Sequence, residues 1–166
     1  ERKHIVFLAR WYPHRYDPMF GLFVQRHAEA AGLFNDITVI YCSEQREVSN
    51  EHNAHSSKPT AQSKFEIVRT NENNVDTIRV YYKKPKNKIQ SLLRFYRANM
   101  MALKLCKKPD LIHVHVLTRL GVIAWIQKIL HKTPYIITEH WSRYLPGNDF
   151  SGFLRKTACK LVVRNA

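Results

Sequence analysis

Short apolar segments rich in β-branched residues alternate with amphipathic stretches along the chain, and this alternation restricts the fold more than any other feature. Residues 3–9 form an apolar run, residues 20–33 carry apolar side chains at helical spacing, and residues 36–42 form a second β-rich run. Continuous apolar runs of this length are typical of strands that are buried on both faces of a parallel sheet. A strand, a helix and a strand in succession predict a βαβ unit with a right-handed crossover.

The same alternation continues after a polar interruption. Residues 43–63 predict a long loop, and residues 65–69 and 77–82 predict a hairpin that turns at residues 71–74. Further helices are predicted over residues 89–103, 121–130 and 153–163, and further strands over residues 110–116 and 134–139. This order predicts an α/β fold, with a doubly wound, mostly parallel, Rossmann-like sheet and helices on both of its faces.

The charge of the chain favours anionic partners. Lys and Arg number 27 against 13 Asp and Glu in 166 residues, a length that suits one domain, and the net charge is +14. Nucleic acid, lipid headgroups and phosphorylated small molecules are the three candidates. The sequence has no zinc-finger spacing and no Arg-rich tail, so a basic nucleic-acid-binding α/β module is kept as an alternative only. An ordinary solvated basic surface is the simplest explanation of the charge.

Cysteine usage and hydropathy bear on the compartment. Cys42, Cys106 and Cys159 lie far apart, which argues against a disulfide scaffold and favours a reducing compartment, so we expect a cytoplasmic protein. No apolar run reaches the roughly eighteen residues of a membrane-spanning helix. The basic side of the helix within residues 86–108 suggests docking on an anionic membrane surface, with a solvated helix face as the alternative.

Polar residues stand at the predicted carboxyl ends of the strands, where open α/β sheets bind ligands. Gly21 begins the first helix, and a glycine at a helix start lets backbone N–H groups approach a phosphate. A tight turn explains this glycine equally well. His113 and His115 are two residues apart and therefore face the same side of their strand, with His115 nearer to the ligand edge.

A third group of such residues follows the strand at residues 134–139. Glu139, His140 and Trp141 combine a carboxylate, an imidazole and an aromatic face that stacks on sugar rings. A zinc site of His113, His115 and His140 is an alternative, but no cysteine or nearby carboxylate completes it by spacing. The sequence therefore predicts a substrate surface and no metal.

Three segments, taken in order, resemble the N-terminal domain of glycosyltransferase family four over nearly the whole chain. They are Trp11-Tyr12-Pro13 with the following residues 18–28, then residues 109–115 and residues 134–140. The resemblance implies one half of a GT-B fold, in which two Rossmann-like domains face a cleft. The N-terminal domain binds the acceptor and the C-terminal domain, which is absent from this chain, binds the nucleotide-sugar. The implied reaction is a retaining, metal-independent hexosyl transfer to a glycan or lipid-linked acceptor, as in polysaccharide biosynthesis.

The resemblance also implies roles for individual residues. His140 matches the catalytic histidine beside the reacting sugar, and Gly21 matches the glycine loop near the donor diphosphate. His115, Glu139 and Trp141 are expected to bind substrate. No cofactor is implied beyond the nucleotide-sugar as co-substrate, and these 166 residues alone are expected to be inactive. A small nucleotide-binding α/β domain of another class is the remaining alternative.

Overall fold

A computed structural model describes residues 1–45, 64–142 and 152–166. The described elements follow the predicted order, with small differences at their ends. They are β1 (His4–Ala9), α1 (Leu22–Gly32), β2 (Asp36–Glu44), β3 (Phe65–Glu72), β4 (Val75–Tyr82), α2 (Lys88–Lys104), β5 (Leu111–His115), α3 (Thr118–His131), β6 (Tyr135–Thr138) and α4 (Phe153–Arg164). The predicted loop over residues 43–63 is corrected at its start, because β2 continues to Glu44, and it lies outside the described residues from 46 onwards.

The six strands form one sheet in the order β3-β4-β2-β1-β5-β6. Neighbouring strands are parallel except for β3, which pairs with β4 as the predicted antiparallel hairpin. Asn73 and Asn74 adopt left-handed backbone conformations in the hairpin turn, a conformation that asparagine tolerates better than most residues. The prediction of a mostly parallel, doubly wound α/β fold is confirmed.

Side chains alternate between two cores on opposite faces of the sheet. Val6 and Leu8 of β1 point into a core that α2, α3 and α4 cover. Phe7 and Ala9 point the other way, into a core that α1 covers with Val24 and Ala28. This alternation follows from the two-residue period of a strand, and it explains why the parallel strands read as unbroken apolar runs.

The chain changes direction in the sheet at β1. The connection through α1 leads to β2 on one side of β1, whereas β5 lies on the other side. The loops that leave β1 and β5 therefore diverge and open a crevice at the carboxyl ends of these strands, where doubly wound sheets bind ligands. Ala9 is paired with His115, and His115 is paired with Thr138, so the last residues of three strands lie side by side at this edge.

The connection between β5 and α3 is tighter than the sequence predicts. The helix begins at Thr118 instead of residue 121, directly after a turn at Val116 and Leu117. Val116 is fully buried with φ of 76°, a left-handed conformation that is rare for a β-branched side chain and costs about 1–3 kcal/mol. Such strain persists only where neighbouring contacts hold it, and those contacts lie in the candidate site.

Candidate functional site

Two histidines meet at the switch point of the sheet. His115 is the last residue of β5 and is fully buried, and His140 follows β6 and is half-buried. His115 Nδ1 and His140 Nε2 lie 3.1 Å apart, and the two rings are parallel within 3°. The structure therefore brings together two of the predicted site residues in a direct hydrogen bond.

A third imidazole, which belongs to α1, completes this cluster. His27 of α1 is exposed, and its ring centre lies 6.1 Å from that of His115 and 5.9 Å from that of His140. No role was predicted for His27 from the sequence, although His27 follows Phe23 by four residues and therefore lies on the same side of the helix. That spacing from an apolar residue at the helix start was the signal that could have identified it.

His113 lies next to the cluster but has a different partner. Its Nε2 is 2.7 Å from Thr138 Oγ1, a bond that links β5 to β6. The ring centres of His113 and His115 are 4.2 Å apart, because both residues face the same side of the strand as predicted. His113 therefore links two strands and is not part of the histidine cluster. The cluster consists of His27, His115 and His140.

Burial favours the neutral form of His113, His115 and His140. Burial, together with the neighbouring imidazoles, lowers the pKa of His115 to about 3 and that of His113 to about 4. Burial also lowers the pKa of His140, with His27 adding to the effect and Glu139 opposing it. A neutral imidazole has one N–H donor and one acceptor nitrogen, so it can both give and accept a hydrogen bond with a hydroxyl group.

Acid is expected to destabilise the protein through these buried histidines. Below about pH 6.5 the unfolded chain protonates His113 and His115, whereas the folded chain does so only near their lowered pKa values of about 4 and about 3. The unfolded state then binds more protons, so the free energy of unfolding falls as the pH falls, by about 2–4 kcal/mol between pH 6.5 and pH 5. Urea unfolding at several pH values measures this slope.

A variant and a control separate this effect from general acid sensitivity. His113→Gln removes one of the two groups and should flatten the slope, whereas His131→Gln, at an exposed helix end, should leave it unchanged. A slope that is the same in the wild type and in His113→Gln contradicts the assignment.

Glu139 fixes the backbone of the site. Its Oε2 accepts a hydrogen bond from the N–H of Leu117 at 2.9 Å, and its Oε1 accepts bonds from the N–H groups of His140 and Trp141 at 3.0 and 2.9 Å. The carboxylate thereby stands at the start of α3, where the helix dipole stabilises negative charge. It joins the loops after β5 and β6 and holds the strained turn at Val116 in place. Its predicted role in binding substrate stays a prediction beside this positioning role.

Glu139→Ala is expected to lower the free energy of unfolding by about 2–4 kcal/mol, because three backbone N–H groups lose a charged acceptor. Chemical denaturation measures the change. Glu72→Ala is the control, since Glu72 is an exposed carboxylate at the end of β3, and it should change stability by less than about 0.5 kcal/mol. Equal effects of the two substitutions would rule out the bridging role.

Aromatic rings line one side of the histidine cluster. Trp141 lies 6.0 Å from Trp11, measured between ring centres, and Trp11 lies 6.2 Å from Phe23. Phe23 packs edge-on against His140 at 4.7 Å. Both tryptophans are half-buried, so part of each ring borders the crevice. Trp141 was predicted from the sequence as a site residue, whereas the positions of Trp11 beside it and of Phe23 beside His140 were not.

Gly21 lies at the helix start as predicted, with the backbone of Trp11 packed against it. Its φ of 68° is left-handed, and a Cβ atom built on it would lie 2.3 Å from the carbonyl carbon of Trp11. Only glycine allows the loop after β1 to pack this closely against the start of α1. Contact of this helix start with a phosphate stays a prediction.

Two comparisons with known proteins find no match. No model of a known protein family matches the chain, and no curated protein matches it. Fold and site thus define a doubly wound α/β domain with a histidine-rich, aromatic-lined site at its switch point.

Proposed function

We propose that the chain is the acceptor-binding N-terminal domain of a retaining glycosyltransferase of the GT-B type. The full-length enzyme moves a sugar from a nucleotide-sugar to a glycan or lipid-linked acceptor without a metal ion. The observation that supports this most strongly is the bonded pair of His115 and His140 beside two tryptophans at the switch point. Neutral imidazoles bind sugar hydroxyl groups, and tryptophan faces pack on sugar rings.

Each residue has a distinct part in the proposed reaction. His140, half-buried at the end of the loop that Glu139 fixes, contacts the transferred sugar. His115 keeps the His140 ring in one orientation through their hydrogen bond. The acceptor hydroxyl lies beside these rings and Trp141, and it loses its proton to the departing nucleoside diphosphate as the new glycosidic bond forms.

The departing nucleoside diphosphate is negatively charged and needs positive charge to stabilise it. We expect both domains of the enzyme to supply this charge. The start of α1 at Gly21 presents backbone N–H groups and the positive end of the helix dipole. Cationic side chains of the second domain supply the remaining charge. On this proposal the 166 residues supply the acceptor side of the cleft, and by themselves they are expected to show no transfer.

Release of nucleoside diphosphate tests this function. The full-length enzyme is incubated with a panel of nucleotide-sugars and a panel of glycan and lipid-linked acceptors, and free nucleoside diphosphate is measured. We expect one donor to be consumed only when a particular acceptor class is present. Consumption of no donor with any acceptor contradicts the proposal. Binding of DNA or RNA that weakens steeply with salt would instead support the nucleic-acid alternative.

Helix α2 supports a second element of the proposal, contact with an anionic membrane surface. Ile89 and Leu93 are 73% and 65% exposed on its first turns, next to the exposed Lys84, Lys86 and Lys88. Apolar side chains flanked by lysines are typical of helices that lie in the headgroup region. No helix among the described residues is long and apolar enough to cross a membrane.

Co-sedimentation with vesicles tests the membrane contact. We expect binding to vesicles that contain phosphatidylserine, weaker binding at high salt, and loss of binding in Ile89→Asp/Leu93→Asp, because a charge replaces each inserted side chain. Phe34→Asp is the control, since Phe34 is 76% exposed beside Asp36 and far from the lysine cluster in sequence. Absence of binding at low salt contradicts the contact.

A further inference from the structure

We propose that His27, His115 and His140 form a binding site for one divalent transition-metal ion of the zinc class. The three residues come from three separate elements, α1, β5 and the segment after β6, and they meet above the carboxyl edge of the sheet. One nitrogen from each ring lies within 4.8 Å of the others. The proposal does not rest on sugar transfer, because metal binding is measured without any sugar.

The distances approach those of tetrahedral coordination, with the ring of His27 farthest from the ideal. With Zn–N bonds of about 2.0–2.1 Å, ligand nitrogens of a tetrahedral site lie about 3.4 Å apart and the ring centres about 5.2 Å apart. The nitrogens of His115 and His140 are 3.1 Å apart. The three ring centres are 5.4, 5.9 and 6.1 Å apart. His27 is an exposed side chain on a helix surface, so a small rotation brings its nitrogen to the bonding distance.

His115 contributes its Nδ1 to the cluster, the nitrogen that lies 3.1 Å from His140 Nε2. His115 is fully buried, and its Nε2 has no hydrogen-bond partner among the described residues. Coordination through Nδ1 leaves Nε2 as it is, so each ligand of the proposed site offers a single nitrogen. His113 is less suited to be a ligand, because Thr138 already occupies its Nε2.

The ligand set decides which ions the site accepts. Three imidazole nitrogens suit Zn²⁺, Co²⁺, Ni²⁺ and Cu²⁺, whereas Mg²⁺ and Ca²⁺ require oxygen ligands. The nearest carboxylate, that of Glu139, is occupied by three backbone N–H groups. Three protein ligands leave a fourth coordination position open to water or an anion. Because the ion would occupy His140, the residue that the proposed function assigns to the transferred sugar, zinc is expected to inhibit transfer.

Titration of the metal-free protein with Zn²⁺ tests the site. Calorimetry is expected to show one Zn²⁺ per chain and no binding of Mg²⁺, and Co²⁺ is expected to give the intense visible absorption of a tetrahedral complex. His27→Ala should weaken Zn²⁺ binding by about ten-fold or more without affecting the fold, because His27 is exposed. His140→Ala should weaken it in the same way. His131→Ala, at the exposed end of α3, should bind as the wild type does.

Two results would overturn the inference. One is the absence of saturable Zn²⁺ binding to the wild-type protein. The other is an affinity that stays unchanged in His27→Ala, which would place any bound ion elsewhere. If Zn²⁺ binds but no sugar is transferred, the metal site is supported and the proposed function fails. If sugar is transferred and Zn²⁺ neither binds to the protein nor inhibits the reaction, the proposed function is supported and the metal site fails.

Discussion

If the proposed function is right, His140→Ala in the full-length enzyme is expected to lower the rate of sugar transfer by about a hundred-fold or more, because the change removes the polar group that the proposal places against the reacting sugar. The imidazole is half-buried, is bonded to His115 at 3.1 Å and is packed against Phe23 at 4.7 Å. Its position is therefore fixed before substrate binds, which is the condition under which a single contact has a large effect on rate. Nucleoside diphosphate release measures the loss.

Two further variants make this result specific to the imidazole. His140→Gln keeps a side chain that can donate and accept hydrogen bonds, so we expect a smaller loss than in His140→Ala. His131→Ala changes an exposed histidine at the end of α3 and should leave the rate unchanged. Far-UV circular dichroism checks that all three proteins are folded. Turnover in His140→Ala equal to that of the wild type would remove the residue from the site.

Gly21→Ala is expected to lower the free energy of unfolding by at least about 3 kcal/mol. The added Cβ would lie 2.3 Å from the carbonyl carbon and 2.5 Å from the carbonyl oxygen of Trp11, and a backbone cannot move aside as a flexible side chain does. The left-handed φ of 68° adds about 1–2 kcal/mol for any residue with a Cβ atom. Chemical denaturation of wild type and variant measures the difference.

Gly152→Ala is the matched control for this prediction. Gly152 also has a positive φ, of 101°, but a Cβ built there would meet no atom closer than 3.9 Å. At this position an added Cβ brings the cost of an unfavourable backbone conformation without a steric overlap, so the variant should be destabilised by about 1–3 kcal/mol. Similar losses in both variants would mean that the packing of Trp11 on the helix start contributes little.

Most of the fold could be predicted from local patterns. The apolar runs of β1, β2 and β5 are buried on both faces, so they carry a strong signal that does not depend on the rest of the chain. The residues at which helices and strands begin and end were harder to predict. The helix α3 begins three residues earlier than predicted because the Glu139 carboxylate, which comes later in the sequence, accepts the N–H of Leu117. A contact at that sequence separation leaves no local pattern.

The candidate site could be predicted in part. Parallel strands place their carboxyl ends at one edge, so the ends of β5 and β6, with His115 and His140, could be expected to be neighbours. The direct bond between the two rings depends on the strand register, which pairs His115 with Thr138. The contribution of His27 depends on how α1 packs on the sheet, and the sequence states only which side of the helix it occupies. The packing role of Gly21 and the positioning role of Glu139 could not be predicted, because they depend on contacts with Trp11 and Leu117 that leave no local sequence pattern.

Histidine side-chain NMR during acceptor titration tests most directly whether the switch point is the substrate site. With the acceptor that supports diphosphate release, we expect the ring resonances of His115 and His140 to shift saturably. Those of His4, at the opposite edge of the sheet, and of His131, at the end of α3, should stay in place. Shifts confined to His4 or His131, with none at His115 and His140, would contradict a sugar site at this edge.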